Sequence, residues 1–155
     1  MSRPFLSRRI LLATAPNGYL AYDTDRDRLH ELNATAALTV ELCDGTRAED
    51  EVIRTVVEVI GAEHADAATT WLRRAIAEGL LRGEPPTSPE LEPSAGKLRK
   101  KAVAQREQGQ LTVAYICYAR AAEIQPELAK NWLELGDMAR VIGRRGEARD
   151  AYERY

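Results

Sequence analysis

The sequence predicts an α+β chain made of two folded parts and a linker, and three observations predict it. Two short runs rich in strand formers, Ile10–Ala13 and Tyr19–Tyr22, flank Asn17-Gly18, a strong hairpin signal. Apolar residues then recur at helical spacing from Leu38 to Leu81, punctuated by Gly45, Gly61 and Gly79. Finally, four of the seven prolines cluster between residues 82 and 96, and a helical period resumes beyond them. The expected organisation is a mixed domain over 1–82, a Pro-rich linker over 83–96 and an all-α segment over 97–155.

Each element has a local reason. Asn17 and Gly18 tolerate positive φ, so they are expected to form the turn between the first two strands. The charged run DTDRDR makes a second turn, and Arg28–Leu32 a third strand. Its charged residues suit an edge position, where they discourage random pairing. Asn33 or Thr35 can cap the next helix. Ala36, Ala37, Leu38, Val40, Leu42 and Cys43 make that helix apolar nearly all round, which predicts burial. Thr46 and Glu49 have capping-box spacing and open a second helix carrying Val52, Ile53, Val56, Val57 and Ile60. A third helix is expected from Asp66 to Glu78, with Trp71, Leu72, Ala75 and Ile76 on its apolar face.

The last segment is internally repeated. Gly109, Ala114 and Tyr118 recur 34 residues later as Gly143, Ala148 and Tyr152, while Ala121 is replaced by Tyr155. Trp132, Leu135 and Gly136 precede the second set. A period of 34 with this pattern resembles the tetratricopeptide repeat (TPR), a helix-turn-helix unit. The first copy departs from it, with Leu98 and Lys101 where the second has Trp and Leu. The second copy stops at Tyr155, several residues short. Such units stack to bury their faces, so the pair is expected to be helped by self-association as a homo-oligomer, by docking on the first domain, or by further chain.

Composition excludes several classes. The chain of 155 residues has a net charge of −2, and residues 1–86 hold ten Lys/Arg against fourteen Asp/Glu. That balance speaks against nucleic acid, which calls for a basic stripe. No apolar run approaches a membrane helix, and the short run after Arg8-Arg9 ends at Pro16, so a strand is expected rather than a signal peptide. No membrane association is expected. Cys43 and Cys117 read as reduced core thiols of a cytoplasmic protein.

Candidate chemistry is sparse. The four serines, Ser2, Ser7, Ser88 and Ser94, lie near the start of the chain or by the linker, and no phosphate-binding glycine motif is present. His30 and His64 lack metal-ligand spacing with each other or with a Cys. Cys43 sits at a helix C-terminus beside Asp44, which raises a thiol pKa, the opposite of activation. Glu31 and Asp44 are weak candidates for an acid/base pair because Asp44-Gly45 is explained as a helix stop. No enzyme activity, metal or cofactor is expected. His30 reads either as a surface group or as a contact for whatever pairs with its strand.

Leu32-Asn33, Thr35-Ala36, Leu42, Asp44-Gly45-Thr46 and Gly79-Leu80-Leu81 match, in order, a pattern of strand, apolar helix, turn and closing helix. Over residues 6–82 this resembles the PqqD-like family, the peptide-recognition chaperones also called RiPP recognition elements. The resemblance implies a winged-helix-like domain that is not itself a catalyst. It implies binding of the leader of a ribosomally made precursor peptide, added as a strand beside the third helix and presented to a modifying enzyme, often a radical S-adenosylmethionine (radical SAM) enzyme. Carried over by position, the peptide contacts would be Asp27, Arg28, Leu29, His30, Glu31 and Leu32 on the strand. Thr70, Arg73, Arg74 and Ala77 on the third helix would join them. An exposed edge with helix pockets beside it suits strand addition, and the arginines could pair with acidic leader residues. The leading expectation is thus a non-enzymatic adaptor whose TPR segment contacts a protein. The alternatives are a winged-helix DNA-binding regulator with a TPR arm and an assembly scaffold without peptide binding.

Overall fold

The computed structural model describes residues 2–84 and 92–155. The chain divides into two compact units, residues 1–91 and 92–155, and is mixed α+β. The first unit holds strands β1 (Phe5–Leu6), β2 (Ile10–Ala15), β3 (Gly18–Asp23), β4 (Arg28–Leu32) and β5 (Leu81–Arg82). Its helices are α1 (Ala34–Leu42), α2 (Glu49–Ile60) and α3 (Ala65–Ala77), with a 3-10 turn at Ala62–His64 before α3. Strands β2, β3 and β4 form one antiparallel sheet in chain order, and β1 pairs with β5.

The first hairpin turns one residue earlier than Asn17-Gly18. Ala15 pairs with Gly18, so Pro16 and Asn17 are the corner, and the fixed φ of proline suits the first corner position. Gly18 is already strand, with φ +154°, and a Cβ there would come 1.9 Å from the Leu32 carbonyl oxygen. Glycine is needed for that close approach, not for the turn. In the second turn, the Asp23 carboxylate accepts the Asp25 and Arg26 amides at 3.0 and 3.2 Å. Asp27 closes it with φ 54°. Asp27, expected on the strand, therefore belongs to the turn that precedes β4.

Asn33 caps α1, its side-chain oxygen accepting the Ala36 amide at 2.9 Å. Helix α1 is buried as expected through Ala36, Ala37, Thr39 and Val40, and the Thr39 hydroxyl donates to the Thr35 carbonyl at 2.7 Å. The capping box at Thr46 and Glu49 does not form. Helix α2 starts two residues later, after Ala48, whose amide donates to Glu51 at 2.8 Å. The Thr46 hydroxyl and amide both donate to the Asp44 carboxylate, which holds Thr46 in the turn before the helix. The core gathers Ile10, Ala21 and Leu32 from the sheet with Ala36, Val40, Val52, Leu72 and Ala75 from the helices. Full burial of side chains such as Val52 and Leu72 stabilises by about 1.5–3 kcal/mol each.

The β1–β5 pair has no counterpart in the sequence reading. Ser7 and Arg3 donate their amides to the Leu80 and Gly83 carbonyls, at 3.1 and 3.0 Å. Gly45 donates to the Pro4 carbonyl at 3.0 Å. The first residues thus lie between the α1–α2 loop and the end of the domain. This extends the first unit through Gly83, one residue into the expected linker. At its other end the linker is shorter, because Ser94 caps a helix that starts at Ala95. Residues 85–91 of the expected linker lie outside the described residues.

The second unit is four helices, α4 (Ala95–Glu107), α5 (Leu111–Ile124), α6 (Ala129–Val141) and α7 (Arg145–Arg154). The repeat is visible in the backbone. Helices α4 and α6 start 34 residues apart, and so do α5 and α7. Gly109 and Gly143, at the bends, have φ +79° and +86°. The Gln110 amide donates to the Gln105 carbonyl, and the Arg144 amide to the Ala139 carbonyl, both at 2.8 Å. Each hairpin is therefore closed by the same left-handed glycine stop. Asn131 on α6 accepts from Arg99 on α4 at 3.1 Å and donates to the Ala121 carbonyl on α5 at 3.3 Å. Its side chain is fully buried, and it seats α6 against the first hairpin.

Candidate functional site

Among the described residues no strand pairs with the outer edge of β4. The direction of its backbone groups follows from the hairpin. Ala15 and Gly18 flank a two-residue turn, which places them opposite each other as a hydrogen-bonded pair. Alternation along β3 then turns Tyr19, Ala21 and Asp23 toward β4, opposite Leu32, His30 and Arg28. The Leu32 carbonyl does face Gly18. The amides and carbonyls of Leu29 and Glu31 are left pointing outward, one donor and one acceptor from each.

The two faces of β4 differ. Leu32 and His30 share the core face with Tyr19 and Ala21; Leu32 is buried and His30 half-buried. Leu29 and Glu31 lie on the opposite face, where Leu29 is 41% exposed. Arg28 is exposed at the start of the strand.

Helix α3 presents two flanks. Ala68, Leu72 and Ala75 are buried, and at 100° per residue the other positions fall on either side of them. Arg74, Glu78 and Trp71 lie on one flank. On the other, Arg73 joins Thr69, Glu49, Asp50 and Ile53 around a groove between α2 and α3. Thr70 and Ala77 point away from the core and are exposed. The expected set therefore splits: Arg74 stands on the flank nearest the strand's charges, whereas Arg73 belongs to the α2–α3 groove.

The charge pattern joins α3 to β4. Arg74 donates to the Glu78 carboxylate at 2.9 Å. That hydrogen bond is the main reason why the Glu78 carboxyl lies below its ordinary range, and His30 and Arg28 push it the same way. The end of α3 and the first half of β4 thus lie within electrostatic reach. Two residues that sequence reasoning did not single out hold this end. The Arg26 guanidinium donates to the Glu78 carbonyl, and that of Arg9 to the Gly79 carbonyl at 3.0 Å. Cations there satisfy the last carbonyls and the negative end of the helix dipole. Arg9 is also 3.3 Å from the buried Asp23 carboxylate. A basic pair before a strand was the only sequence signal for Arg9, and it carried no address.

Cys43 and Asp44, beside this site, are both shifted away from their reactive forms. Burial, then Asp44 and Glu49, pushes the Cys43 thiol up to about 12, which disfavours the thiolate that a nucleophile needs. Hydrogen bonds from Thr46 and Arg47 hold the Asp44 carboxyl below its ordinary range, opposite to what a proton donor needs. Among the described residues no three His, Cys, Asp or Glu side chains gather as a metal-holding group. No helix among them is long and apolar enough to cross a membrane.

No protein-family profile, curated protein or solved structure matches the chain.

Proposed function

We propose that the chain is a non-catalytic adaptor of PqqD-like type. In this reading the first unit is a winged-helix-like domain that takes the leader of a ribosomally made precursor peptide as an added strand on β4. The second unit is a TPR-like pair that holds a partner protein, such as a radical SAM modifying enzyme. The observation that carries the reading is the outward direction of the Leu29 and Glu31 backbone groups. An extended peptide can complete those hydrogen bonds, while its alternate side chains reach toward Arg74 and Glu78 or toward exposed Leu29. The motif residues from Leu32 to Thr46 and from Gly79 to Leu81 support the family resemblance.

Strand β2 is the other edge of the same sheet, and it supplies the control. The leader segments of short peptides encoded beside the gene are titrated against the wild-type chain, Leu29→Pro and Leu12→Pro. By the same alternation both prolines replace outward amides and spare the ladder to β3. Binding lost in Leu29→Pro and kept in Leu12→Pro is the expected result. A leader that binds wild type and Leu29→Pro equally removes β4 as the site.

A further inference from the structure

The second hairpin repeats the first position by position, but not residue by residue. Arg140, Arg145, Ala148, Arg149, Tyr152 and Glu153 line a groove between α6 and α7. Thirty-four residues earlier, the same positions of α4 and α5 are Arg106, Leu111, Ala114, Tyr115, Tyr118 and Ala119. That first groove is not empty, because α6 packs along α5 and Asn131 ties it to both α4 and α5. The second groove is the place where a further helix would sit.

The two grooves differ in chemistry. Leu111, Tyr115 and Ala119 of the first become Arg145, Arg149 and Glu153 in the second, three exposed charges spaced four residues apart along α7. With Arg140 the second groove has three guanidinium groups against one carboxylate. Arg149 has Asp150 and Glu153 at 3.9 Å, too long for strong hydrogen bonds. Among the described residues no carboxylate lies within ion-pair distance of Arg140 or Arg145. The floor between the charges, Ala148 and the edge of Tyr152, is apolar.

Among the corresponding positions of the first groove, Arg106 is the one cation. Arg140 repeats Arg106, and Arg145 and Arg149 add two more cations. We infer that the α6–α7 groove receives an amphipathic helix of a partner protein, one that presents a stripe of Asp or Glu side chains beside small apolar residues. Arginine suits that task because its planar fork pairs with carboxylates in two-point contacts.

A second copy of this chain fits the groove poorly. Head-to-tail stacking would offer α4 to α7. Helix α4 carries Lys97, Arg99, Lys100, Lys101 and Arg106 against a single acidic residue, Glu107. Like charges would face each other along the contact.

The inference deepens the adaptor reading by naming a surface and a partner chemistry for the helical unit. Its test is separate from that of β4. Two stapled helical peptides on an Ala/Leu background, one with Glu at three positions spaced four apart and one with Lys there, are titrated against the full chain by fluorescence anisotropy. The Glu peptide is expected to bind, and the Lys peptide at least about tenfold more weakly. Arg145→Glu/Arg149→Glu is expected to reverse that order, a gain for the Lys peptide that an unfolded protein could not produce. Arg145→Ala/Arg149→Ala should weaken the Glu peptide without strengthening the Lys peptide. Leu29→Pro should bind the Glu peptide like wild type, so failure at one site is distinguishable from failure at the other. Equal binding of both peptides, no binding of either, or an unchanged preference in the charge-reversed chain would overturn the inference.

Discussion

Tyr118 and Tyr152 occupy the same position in two successive hairpins and lead different lives. Tyr152 donates its hydroxyl to Asp137 at 2.6 Å. Tyr118 is fully buried, and among the described residues its hydroxyl finds no partner. The cause is one residue of the repeat: Val103 stands where the second hairpin has Asp137. The neighbouring helix position differs as well. Buried Ala102 stands there in the first hairpin, whereas Gly136 lies so close to the Tyr152 ring that a Cβ would come within 2.6 Å of it. The same backbone plan is thus stabilised by apolar packing in one copy and by a polar contact over a glycine in the other. A repeat conserves geometry more strictly than it conserves the way that geometry is held.

The comparison can be broken at its centre first. Trp132 and Leu98 are the matching anchors, 9% and 1% exposed. The Trp132 indole donates to the Pro126 carbonyl at 2.8 Å, and Arg154 lies over its ring at 4.8 Å. Trp132→Ala is expected to cost about 3–5 kcal/mol and Leu98→Ala about 2–5 kcal/mol. Urea unfolding followed by helical circular dichroism measures both. A cost for Trp132→Ala below that of Leu98→Ala would mean that the second hairpin is not held by its anchor.

Next comes Gly136→Ala. Crowding the Tyr152 ring costs about 1–3 kcal/mol, and the better helix propensity of alanine returns about 1 kcal/mol. A net loss near 1 kcal/mol is expected in the same unfolding assay. A gain would show that the ring has room to move.

The tyrosines themselves are expected to differ in sign. Tyr152→Phe loses a hydrogen bond to a carboxylate, so its stability should fall. Tyr118→Phe removes a buried hydroxyl that has no partner, so stability should stay level or rise. A loss above about 1 kcal/mol in Tyr118→Phe would point to a bound water that serves the hydroxyl.

The smallest effect is in the pH dependence. Both phenols are pushed above the ordinary tyrosine value, Tyr118 mainly by burial and Tyr152 mainly by its hydrogen bond to Asp137. A pKa raised in the folded state means that the folded chain keeps its proton longer than the unfolded one. The stability is therefore intact below about pH 10 and declines as pH rises above it. In a phenolate absorbance titration, Asp137→Asn should bring the Tyr152 transition down and leave that of Tyr118 in place.

Other differences show why some features were legible in the sequence and others were not. The second turn and the stops at Gly61 and Gly79 were legible because local chemistry decides them. The hairpin at Pro16-Asn17 was misplaced by one residue because two neighbouring residues each suit a corner, and only the register with β3 chooses between them. Strands β1 and β5 are two residues each, too short to carry a period, and they form because the ends of the domain meet. At the candidate site, the edge position of β4 could be read from its charges. The separation of Arg73 from Arg74 follows from which flank of α3 turns toward α2. The roles of Arg9 and Arg26 needed the end of α3 to arrive beside them from more than fifty residues away.

By itself the sequence determined the α+β plan, the two-part organisation, the 34-residue repeat and the burial of Cys43. Each of these depends on spacing along the chain or on the chemistry of adjacent residues. Only the tertiary structure decided which backbone groups of β4 point outward, which arginine flanks them, and that the groove beside α7 is the charged counterpart of one already filled. Those are relations between segments distant in sequence, and packing alone brings them together.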